Sequence, residues 1–281
     1  MQEKKIALLA DQIKEQGKPI VLIAGPSSSG KTTFATRLSI QLRVNGFQPY
    51  VISLDNYYLN RELVPKDEFG EYDFETIDAI DTQQIDEDLR RLVNGETVQI
   101  PSFNFLTGRR EYKGHTIKLS PGDVLIMEGI HGLNGAIGAG MPPGDTFRIF
   151  ISALTQIGID DHNHIPTTDT RLIRRIVRDF QFRGQTAERT IDMWPSVRHG
   201  ESKYIFPFQE KADAFFNSAL VYEMCVLKQF AEPLLFGIDR YSPASPEAHR
   251  LVKFLDGFLG VTSEIVPPNS ILREFIGGSC L

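Results

Sequence analysis

The sequence predicts an α/β fold, a doubly wound parallel sheet whose strands alternate with helices. Four short, apolar, β-branched runs are typical of buried strands, at 20–24, 50–54, 123–129 and 147–151. Two stretches with apolar residues at helical spacing lie between them, at 33–45 and 82–94. Strands separated by helices pair in parallel, and a ligand of such a sheet lies beyond the carboxyl ends of its strands.

The composition is that of an ordinary globular protein. Of the 281 residues, 41% are hydrophobic and 23% are charged. The formal net charge of −6 argues against the broad basic surface of a nucleic-acid-binding protein. Cys225 and Cys280 form no disulfide framework, and no run of about 20 apolar residues is long enough to span a bilayer. We therefore expect a cytoplasmic protein with no membrane partner and no bulk nucleic-acid binding.

The other elements of the first half follow in chain order. Apolar residues at helical spacing predict an N-terminal helix within 1–17. A loop is expected at 59–79 and a short strand at 98–100. Alternating residues at 111–119 predict a small hairpin that turns at Lys113 and Gly114.

The second half of the chain is more helical. Its predicted elements are a strand at 212–216 and helices at 169–184, 186–194, 219–236 and 246–258. Because the chain contains no internal repeat, these elements favour one domain with additions over two independent folds. The predicted organisation is an N-terminal helix at 1–17, a core domain at 18–240 with a helical lid at 160–200, and a C-terminal extension at 241–281 packed on that domain.

One motif is more specific than any other part of the sequence. Residues 25–32 fit the phosphate-binding pattern G-x-x-x-x-G-K-[ST] and lie between a predicted strand and a predicted helix. In that context the loop amides and the helix N-terminus bind anionic oxygens, Lys31 reaches the β- and γ-phosphates, and the Thr32 hydroxyl binds Mg²⁺. The alternative is a glycine-rich turn that binds nothing. The predicted nucleotide-binding residues are Gly25, Pro26, Ser27, Ser28, Ser29, Gly30, Lys31, Thr32 and Thr33.

Two acidic residues follow predicted core strands. Asp55 comes after the strand at 50–54, where a carboxylate can accept a proton from an attacking alcohol, although an aspartate there is also a common turn or cap residue. Glu128 ends an apolar strand, a position at which an acid near a bound nucleotide holds magnesium through water. A strand-end glutamate without a ligand is the alternative for Glu128.

Four arginines share one face of the helix predicted at 169–184. They are Arg171, Arg174, Arg175 and Arg178. Like charges at this spacing repel one another, so a bound triphosphate is a suitable compensating anion. Asp169 and Asp179 can instead pair with some of the arginines, and Arg183 lies one turn beyond Asp179.

Two further features are less specific. His162 and His164 invite a metal-site interpretation, but no other histidine or cysteine has a spacing that completes such a site, so a polar loop is expected. Phe103 and Phe105 can stack on a flat substrate or belong to the core.

Together these residues resemble the uridine kinase and phosphoribulokinase family of P-loop kinases. The resemblance covers roughly residues 18–222, and its motifs lie at 25–32, 53–58, 72–75, 78–81, 101–105, 128–130 and 169–179. It implies a P-loop NTPase-type fold and ATP- and Mg²⁺-dependent phosphorylation of the 5′-hydroxyl of uridine, cytidine or a related nucleoside. Relatives are often oligomeric, so the resemblance is also compatible with a homo-oligomer.

The resemblance implies a role for each matching residue. Asp55 would be the base, with Lys31, Arg174 and Arg178 also catalytic and the arginine helix acting as a closing lid. Arg171 and Arg175 would bind nucleotide, and Thr32 with Glu128 would hold the metal. The implied acceptor-binding residues are Tyr58, Glu75, Phe103, Phe105, Arg110, Arg171 and Arg183.

The chain departs from the uridine kinase pattern where the base is selected. Glu75 stands where those enzymes have an aspartate for the ribose hydroxyls, and Phe103 and Gly108 stand where they have a tyrosine and a histidine. An apolar pocket discriminates less than one built to hydrogen-bond a base. Two alternatives therefore stay open: a kinase for another small alcohol, such as a sugar phosphate or pantothenate, and a nucleotide-binding regulatory or RNA-associated module without turnover.

The C-terminal residues 243–281 lie beyond the usual kinase core. Their end, at 267–278, resembles the C-terminus of a bacterial subgroup in which a uridine-kinase-like domain follows a module similar to the N-terminal part of threonyl-tRNA synthetase. We expect no such module within these 281 residues.

Overall fold

The computed structural model describes residues 2–66, 70, 72–141, 144–155 and 165–281. It contains two compact units whose segments interleave along the chain. The first unit comprises Met1–Pro26, Phe34–Ile151 and Gly200–Phe216, and the second comprises Ser27–Thr33, Ser152–His199 and Asn217–Leu281. The domain boundaries expected at residues 17 and 240 stay a prediction.

Helices and strands alternate through the first half of the chain, and helices dominate the second half. The helices are α1 Gln2–Gln16, α2 Lys31–Val44, α3 Thr82–Val93, α4 Thr167–Arg183, α5 Ala187–Tyr204, α6 Glu223–Phe236, α7 Ser245–Leu255 and α8 Arg273–Ile276. The strands are β1 Ile20–Ala24, β2 Pro49–Ser53, β3 Thr97–Gln99, β4 Ser102–Asn104, β5 Arg109–Glu111, β6 Thr116–Lys118, β7 Val124–Glu128, β8 Thr146–Ser152 and β9 Ala214–Asn217. Within the described part of the chain, no helix has the length and apolarity needed to cross a membrane.

The five-stranded sheet confirms the predicted α/β fold. Its strand order is β2-β7-β1-β8-β9, so β1, β2 and β7 are joined by crossover connections and only β8 and β9 are both consecutive and adjacent in this sheet. β1 is parallel to both β7 and β8, and β2 is parallel to β7. The register places Glu128 opposite both Ile23 and Ser53, which brings the carboxyl ends of β1, β2 and β7 to one edge. The residues that follow these three strands therefore start from that edge.

The first unit has its main core between the sheet and α3. Ile85, Leu89 and Leu92 of α3 are buried in one cluster with sheet residues such as Leu22 and Met127. Each fully buried aliphatic side chain contributes roughly 1.5–3 kcal/mol to stability. Packing rather than helix propensity therefore fixes α3 and the strand ends beside it.

The second unit is a set of packed helices centred on α4. Leu172, Ile173, Ile176 and Val177 of α4 are buried, and α4 contacts α6 and α8 while α6 contacts α7. Gly184 ends α4 in the left-handed region, with φ of 62°. The C-terminal helices α7 and α8 thus belong to the same compact unit as the arginine helix.

The hairpin predicted at 111–119 is wrong. β5 pairs with β4, whereas β6 pairs with β3, in two separate antiparallel two-stranded sheets. Alternation specifies which face of a strand is buried but not which strand is its partner. Val98 and Ile117 face each other and are both buried, so apolar burial selects a more distant partner for β6.

Two predicted helix bounds also differ from the structure. α5 continues through Pro195 to Tyr204 instead of ending at residue 194, because Ile191, Trp194 and Val197 continue a buried stripe that offsets the cost of an internal proline. α6 starts at Glu223 and not at 219, because the amide of Ala219 is bonded to the Asn217 side chain in a turn.

We predict that Gly132→Ala destabilises the first unit by about 2 kcal/mol, since overpacking costs roughly 1–3 kcal/mol. A Cβ on Gly132 would lie 2.5 Å from the carbonyl oxygen of Ile23 in β1, where the backbone cannot move aside. The control is Gly135→Ala in the same loop, where the nearest atom would be the flexible Lys211 Nζ at 3.6 Å. Urea unfolding should show a lower midpoint for the first variant alone, and equal midpoints would contradict the prediction.

Candidate functional site

The loop after β1 turns through two residues in the left-handed region before α2 begins. Ser28 has φ of 59° and Gly30 has φ of 88°. Ser28 is the one non-glycine residue with positive φ in the described ranges, a conformation that costs roughly 1–2 kcal/mol. A turn of this kind directs successive N–H groups inward, and the first N–H groups of α2 have no acceptor within the helix itself. The loop can therefore bind anionic oxygens.

Two buried hydroxyls test whether this loop fits a polyphosphate. Ser28 Oγ and Ser29 Oγ are inaccessible and find no hydrogen-bond partner among the residues that the structure describes. An unsatisfied buried hydroxyl costs roughly 1–3 kcal/mol. Phosphate oxygens supply the missing acceptors, so the loop chemistry fits a nucleotide phosphate chain.

Three arginines of α4 bind the loop within the second unit. Arg171 Nη1 donates to the carbonyl oxygen of Ser27 at 3.1 Å, and Arg174 Nη1 donates to that of Ser28 at 3.2 Å. Arg175 Nη1 donates to Ser27 Oγ at 3.0 Å. The helical spacing predicted this shared face, and the structure turns it toward the loop. The guanidinium groups therefore hold the loop backbone in the turn that presents its N–H groups.

Arg174 is completely buried and lies in a network of its own. Its Nη2 donates to the carboxylate of Glu223 in α6 and to the carbonyl oxygen of Ser218 at 3.1 Å. Burial raises the pKa of the Glu223 carboxyl, and the Arg174 charge opposes that effect. The contacts of Arg174 favour support of the loop, and its predicted catalytic role stays a prediction.

A single buried carboxylate pairs with three arginines at the other end of the arginine face. Asp179 pairs with Arg175 at 3.2 Å, with Arg178 at 2.7 Å and with Arg183 at 3.6 Å. Asp169 forms a bidentate pair with Arg250 of α7 instead, at 2.8 and 2.9 Å. Of the two carboxylates weighed from the sequence, Asp179 therefore serves this face and Asp169 does not.

The first unit places the two predicted acids at the same sheet edge. Glu128 ends β7 as a buried residue, with Ser53 as its partner in the register. Asp55 is half-buried in a short 3-10 helix at Leu54–Tyr57, where its N–H is capped by Ser53 Oγ at 3.4 Å. Ser53, and not Asp55, supplies the capping side chain of this helix, and the role of the Asp55 carboxylate stays a prediction.

Buried contacts fix the 3-10 helix that carries Asp55. The hydroxyl of Tyr57 donates to Asp88 of α3 at 3.0 Å, and burial raises the pKa of both groups. Leu54 packs against Gly129, where a Cβ would approach the Leu54 Cβ to 2.6 Å. A side chain at position 129 would therefore displace the segment that carries Asp55.

The predicted acceptor residues of the first unit gather around an aromatic cluster. The ring of the buried Phe103 lies 5.5 Å from that of Tyr58 and 5.1 Å from that of Phe105. Tyr58 donates its hydroxyl to the carbonyl oxygen of Phe74 at 3.0 Å, beside Glu75. Phe103 is thus part of the core, and Phe105 is exposed at the edge of the cluster.

Charged groups occupy the rest of this region. Arg110 pairs with Asp81 at 2.9 Å. The Gly108 position lies under a guanidinium, because a Cβ there would come within 2.8 Å of Arg61 Nε. Glu75 packs so closely on Gly200 that a Cβ at Gly200 would overlap its Cβ.

The predicted site residues are divided between the two compact units. The second unit holds Ser27–Thr33 together with Arg171, Arg174, Arg175, Arg178 and Arg183, and the first unit holds Gly25, Pro26, Tyr58, Asp55, Glu75, Phe103, Phe105, Arg110 and Glu128. His162 and His164 lie outside the described residues. Among the residues described, no group of three metal-ligating side chains is present.

Two carboxylates that serve the loop were not predictable from the sequence. Glu223 neutralises Arg174, and Glu274 of α8 accepts from Thr33. Residues 33 and 274 are 241 positions apart, so no local sequence pattern predicts their contact.

Comparison with known proteins identifies relatives of the chain. Residues 20–223 match the model of the phosphoribulokinase / uridine kinase family. The uridine kinase of Macrococcus caseolyticus is 31% identical over 195 residues, covering 69% of this chain and 85% of that protein. The uridine kinase of Lactobacillus johnsonii is 30% identical over 198 residues, covering 70% and 85%.

Solved structures share the fold. A candidate fructose transport system kinase from Silicibacter sp. TM1040 has a TM-score of 0.53 and 18% identity, covering 75% of this chain and 98% of that one. A candidate uridine kinase from Bacillus stearothermophilus has a TM-score of 0.50 and 20% identity, covering 76% and 98%. At these identities the likeness supports the P-loop kinase fold alone.

We predict that Glu223→Gln destabilises the second unit by about 3–5 kcal/mol, because it leaves the Arg174 charge buried without a counter-ion. The control is Glu247→Gln, which weakens the partly exposed Arg250 pair and should cost less than about 1 kcal/mol. Chemical denaturation of each variant measures both effects. Equal stabilities of the two variants would contradict the prediction.

Proposed function

Since this chain belongs to the phosphoribulokinase and uridine kinase family, a family of phosphotransferases, we propose that it transfers the γ-phosphate of ATP to a nucleoside. The proposed acceptor is the 5′-hydroxyl of uridine, cytidine or a related nucleoside. The named uridine kinases at 30–31% identity support this acceptor class.

One observation carries the proposal: the loop at 27–30 is held by α4 arginines while two of its buried hydroxyls lack partners. The arginines donate to the carbonyl oxygens of Ser27 and Ser28 and to the Ser27 hydroxyl. Ser28 Oγ and Ser29 Oγ make no hydrogen bond within the described residues, so their hydrogen-bonding capacity is unused. Because the loop is already ordered, phosphate binding does not include the entropy cost of ordering it.

Magnesium fits the oxygen donors that the chain offers. The Thr32 hydroxyl at the start of α2 and the Glu128 carboxylate at the end of β7 are hard oxygen ligands of the kind Mg²⁺ prefers. When bound, the ion neutralises charge that develops on the phosphate oxygens. We propose that Thr32 holds it directly and Glu128 through water.

Asp55 is the proposed general base. Phosphoryl transfer needs positioning and charge neutralisation more than covalent chemistry, and a carboxylate that accepts the proton of the acceptor hydroxyl completes the site. The capped 3-10 helix and the buried Tyr57–Asp88 bond hold Asp55 in a fixed place. Fixed placement supports this role, since a base must lie within hydrogen-bond reach of the proton.

A second acceptor class follows from the surroundings of Gly108. Arg61 covers this position with an exposed guanidinium, and its Nη2 donates to the carbonyl oxygen of Phe105 at 3.3 Å. A cation beside the exposed Phe105 favours an acceptor that carries an anion. A sugar phosphate or a carboxylate such as pantothenate is therefore the second candidate.

We predict that uridine or cytidine supports ATP consumption and that the product is the 5′-monophosphate. A panel of nucleosides, ribulose 5-phosphate and pantothenate, assayed by coupled ADP formation and mass spectrometry of products, checks this expectation. Turnover with ribulose 5-phosphate or pantothenate alone would select the second candidate. Tight ATP binding with no phosphorylated acceptor would indicate a nucleotide-binding module without turnover.

We predict that Asp55→Asn lowers kcat by about 10²–10⁴-fold and leaves ATP affinity within about twofold, because proton acceptance contributes on that order to catalysis. The control is Asp256→Asn at the exposed end of α7, which should retain full kcat. Steady-state kinetics with the best acceptor and calorimetric titration with ATP separate turnover from binding. Near-normal turnover by the Asp55→Asn variant would show that Asp55 is not the general base.

A further inference from the structure

A carboxylate from the C-terminus lies on the first turn of α2. Glu274 Oε2 accepts from the Thr33 amide at 3.2 Å and from Thr33 Oγ1 at 2.7 Å. Thr33 is the third residue of α2, so its N–H is one of those that the helix leaves without an internal partner. The amides at the N-terminus of a helix that follows a phosphate-binding loop are expected to donate hydrogen bonds to the phosphates of a ligand. Glu274 therefore satisfies part of the anion site from within the chain.

The segment that carries Glu274 also contacts the rest of the loop. Ile271 packs on Gly30, where an added Cβ would meet three of its side-chain carbons at 3.5 Å. The Phe275 ring lies 5.0 Å from the guanidinium carbon of Arg174, a residue whose Nη1 donates to the Ser28 carbonyl oxygen. All of these residues belong to the second unit. Residues 271–275 thus form a C-terminal clamp on residues 30 and 33 of the loop and α2.

The clamp is firmly anchored. Ile271, Leu272 and Phe275 are completely buried. Arg273 donates to the carbonyl oxygens of Ser263 at 2.9 Å and Val266 at 2.5 Å. The Glu274 backbone is therefore held in place, and only the rotation of its side chain can move the carboxylate away from Thr33.

We propose that Glu274 is an internal competitor of the nucleotide phosphates, so that the C-terminal clamp autoinhibits nucleotide binding. This inference rests on the proposed binding of ATP at the 25–32 loop. A carboxylate only accepts hydrogen bonds, so Glu274 uses two donors that a phosphate oxygen would otherwise receive. It also places a negative charge next to the polyphosphate. Binding of nucleotide then requires the Glu274 side chain to swing out, which weakens nucleotide affinity while Ile271 and Phe275 keep the loop folded.

Competition makes a specific prediction about ligands. Removal of the Glu274 charge should act through the phosphate charge of the ligand. The affinities for ATP and ADP should therefore rise, and the affinity for adenosine should stay unchanged. Glu274→Gln keeps the size of the side chain and an acceptor oxygen while it removes the charge. We expect it to lower the dissociation constants of ATP and ADP by about three- to tenfold, the scale of a charge at a helix N-terminus. The kcat at saturating ATP should not fall.

The test is calorimetric titration of the full chain with ATP, ADP and adenosine, alongside steady-state kinetics. The matched control is Glu264→Gln, an exposed carboxylate in the same C-terminal region, which should leave all three affinities unchanged. Glu274→Ala provides a second variant should Glu274→Gln fold poorly, and it should change affinity in the same direction. Thermal unfolding establishes that each variant is folded.

Several results would overturn the inference. Unchanged or weaker ATP affinity in Glu274→Gln would show that the carboxylate supports the site or has no influence on it. Equal tightening for adenosine, or for Glu264→Gln, would show that phosphate competition is not the cause. Either result leaves the proposed kinase function intact if the parent chain binds ATP and phosphorylates an acceptor. A parent chain that does neither would overturn the proposed function itself.

Discussion

The buried guanidinium of Arg174 is the group on which the nucleotide-binding loop depends. Burying an unpaired charge costs several kcal/mol, so Arg174 is tolerated only because Glu223 neutralises it and Ser218 accepts further bonds. Its Nη1 also donates to the carbonyl oxygen of Ser28, the residue held at positive φ. The strained turn is therefore supported by a charge whose own partner lies on α6. The loop cannot keep its shape unless α4 and α6 are both folded.

Part of the positive charge on the arginine face of α4 is compensated within the chain. From the sequence, like charges on one face argued for a bound triphosphate as the compensating anion. The structure supplies internal counter-ions instead: Glu223 for Arg174, and Asp179 for Arg175, Arg178 and Arg183. These arginines can thus hold the loop in a ligand-free protein. A loop backbone that is pre-organised in this way lowers the entropy cost of binding a ligand.

Local patterns in the sequence predicted most of the fold and the identity of the loop. The strands, the parallel sheet, the G-x-x-x-x-G-K-T motif and the shared arginine face all follow from residues a few positions apart. Partners that are distant in sequence were not predictable. The pairing of β3 with β6, the Arg174–Glu223 pair and the Thr33–Glu274 contact depend on which apolar surfaces meet in three dimensions. Spacing along one chain does not carry that information.

The C-terminal clamp, residues 271–275, gives a structural role to part of the chain beyond the family match. That match ends at residue 223, yet Ile271, Glu274 and Phe275 contact Gly30, Thr33 and Arg174, which belong to the loop, α2 and the arginine face. A helix N-terminus next to a strained loop is unfavourable when its amides lack acceptors, and Glu274 supplies one of them. The hydrogen bond from Thr33 to Glu274 stabilises the loop when no nucleotide is bound, and it must break when nucleotide binds. Stability of the ligand-free loop and affinity for phosphate are therefore opposed at this residue, and the balance between them is set by a segment that the family core lacks.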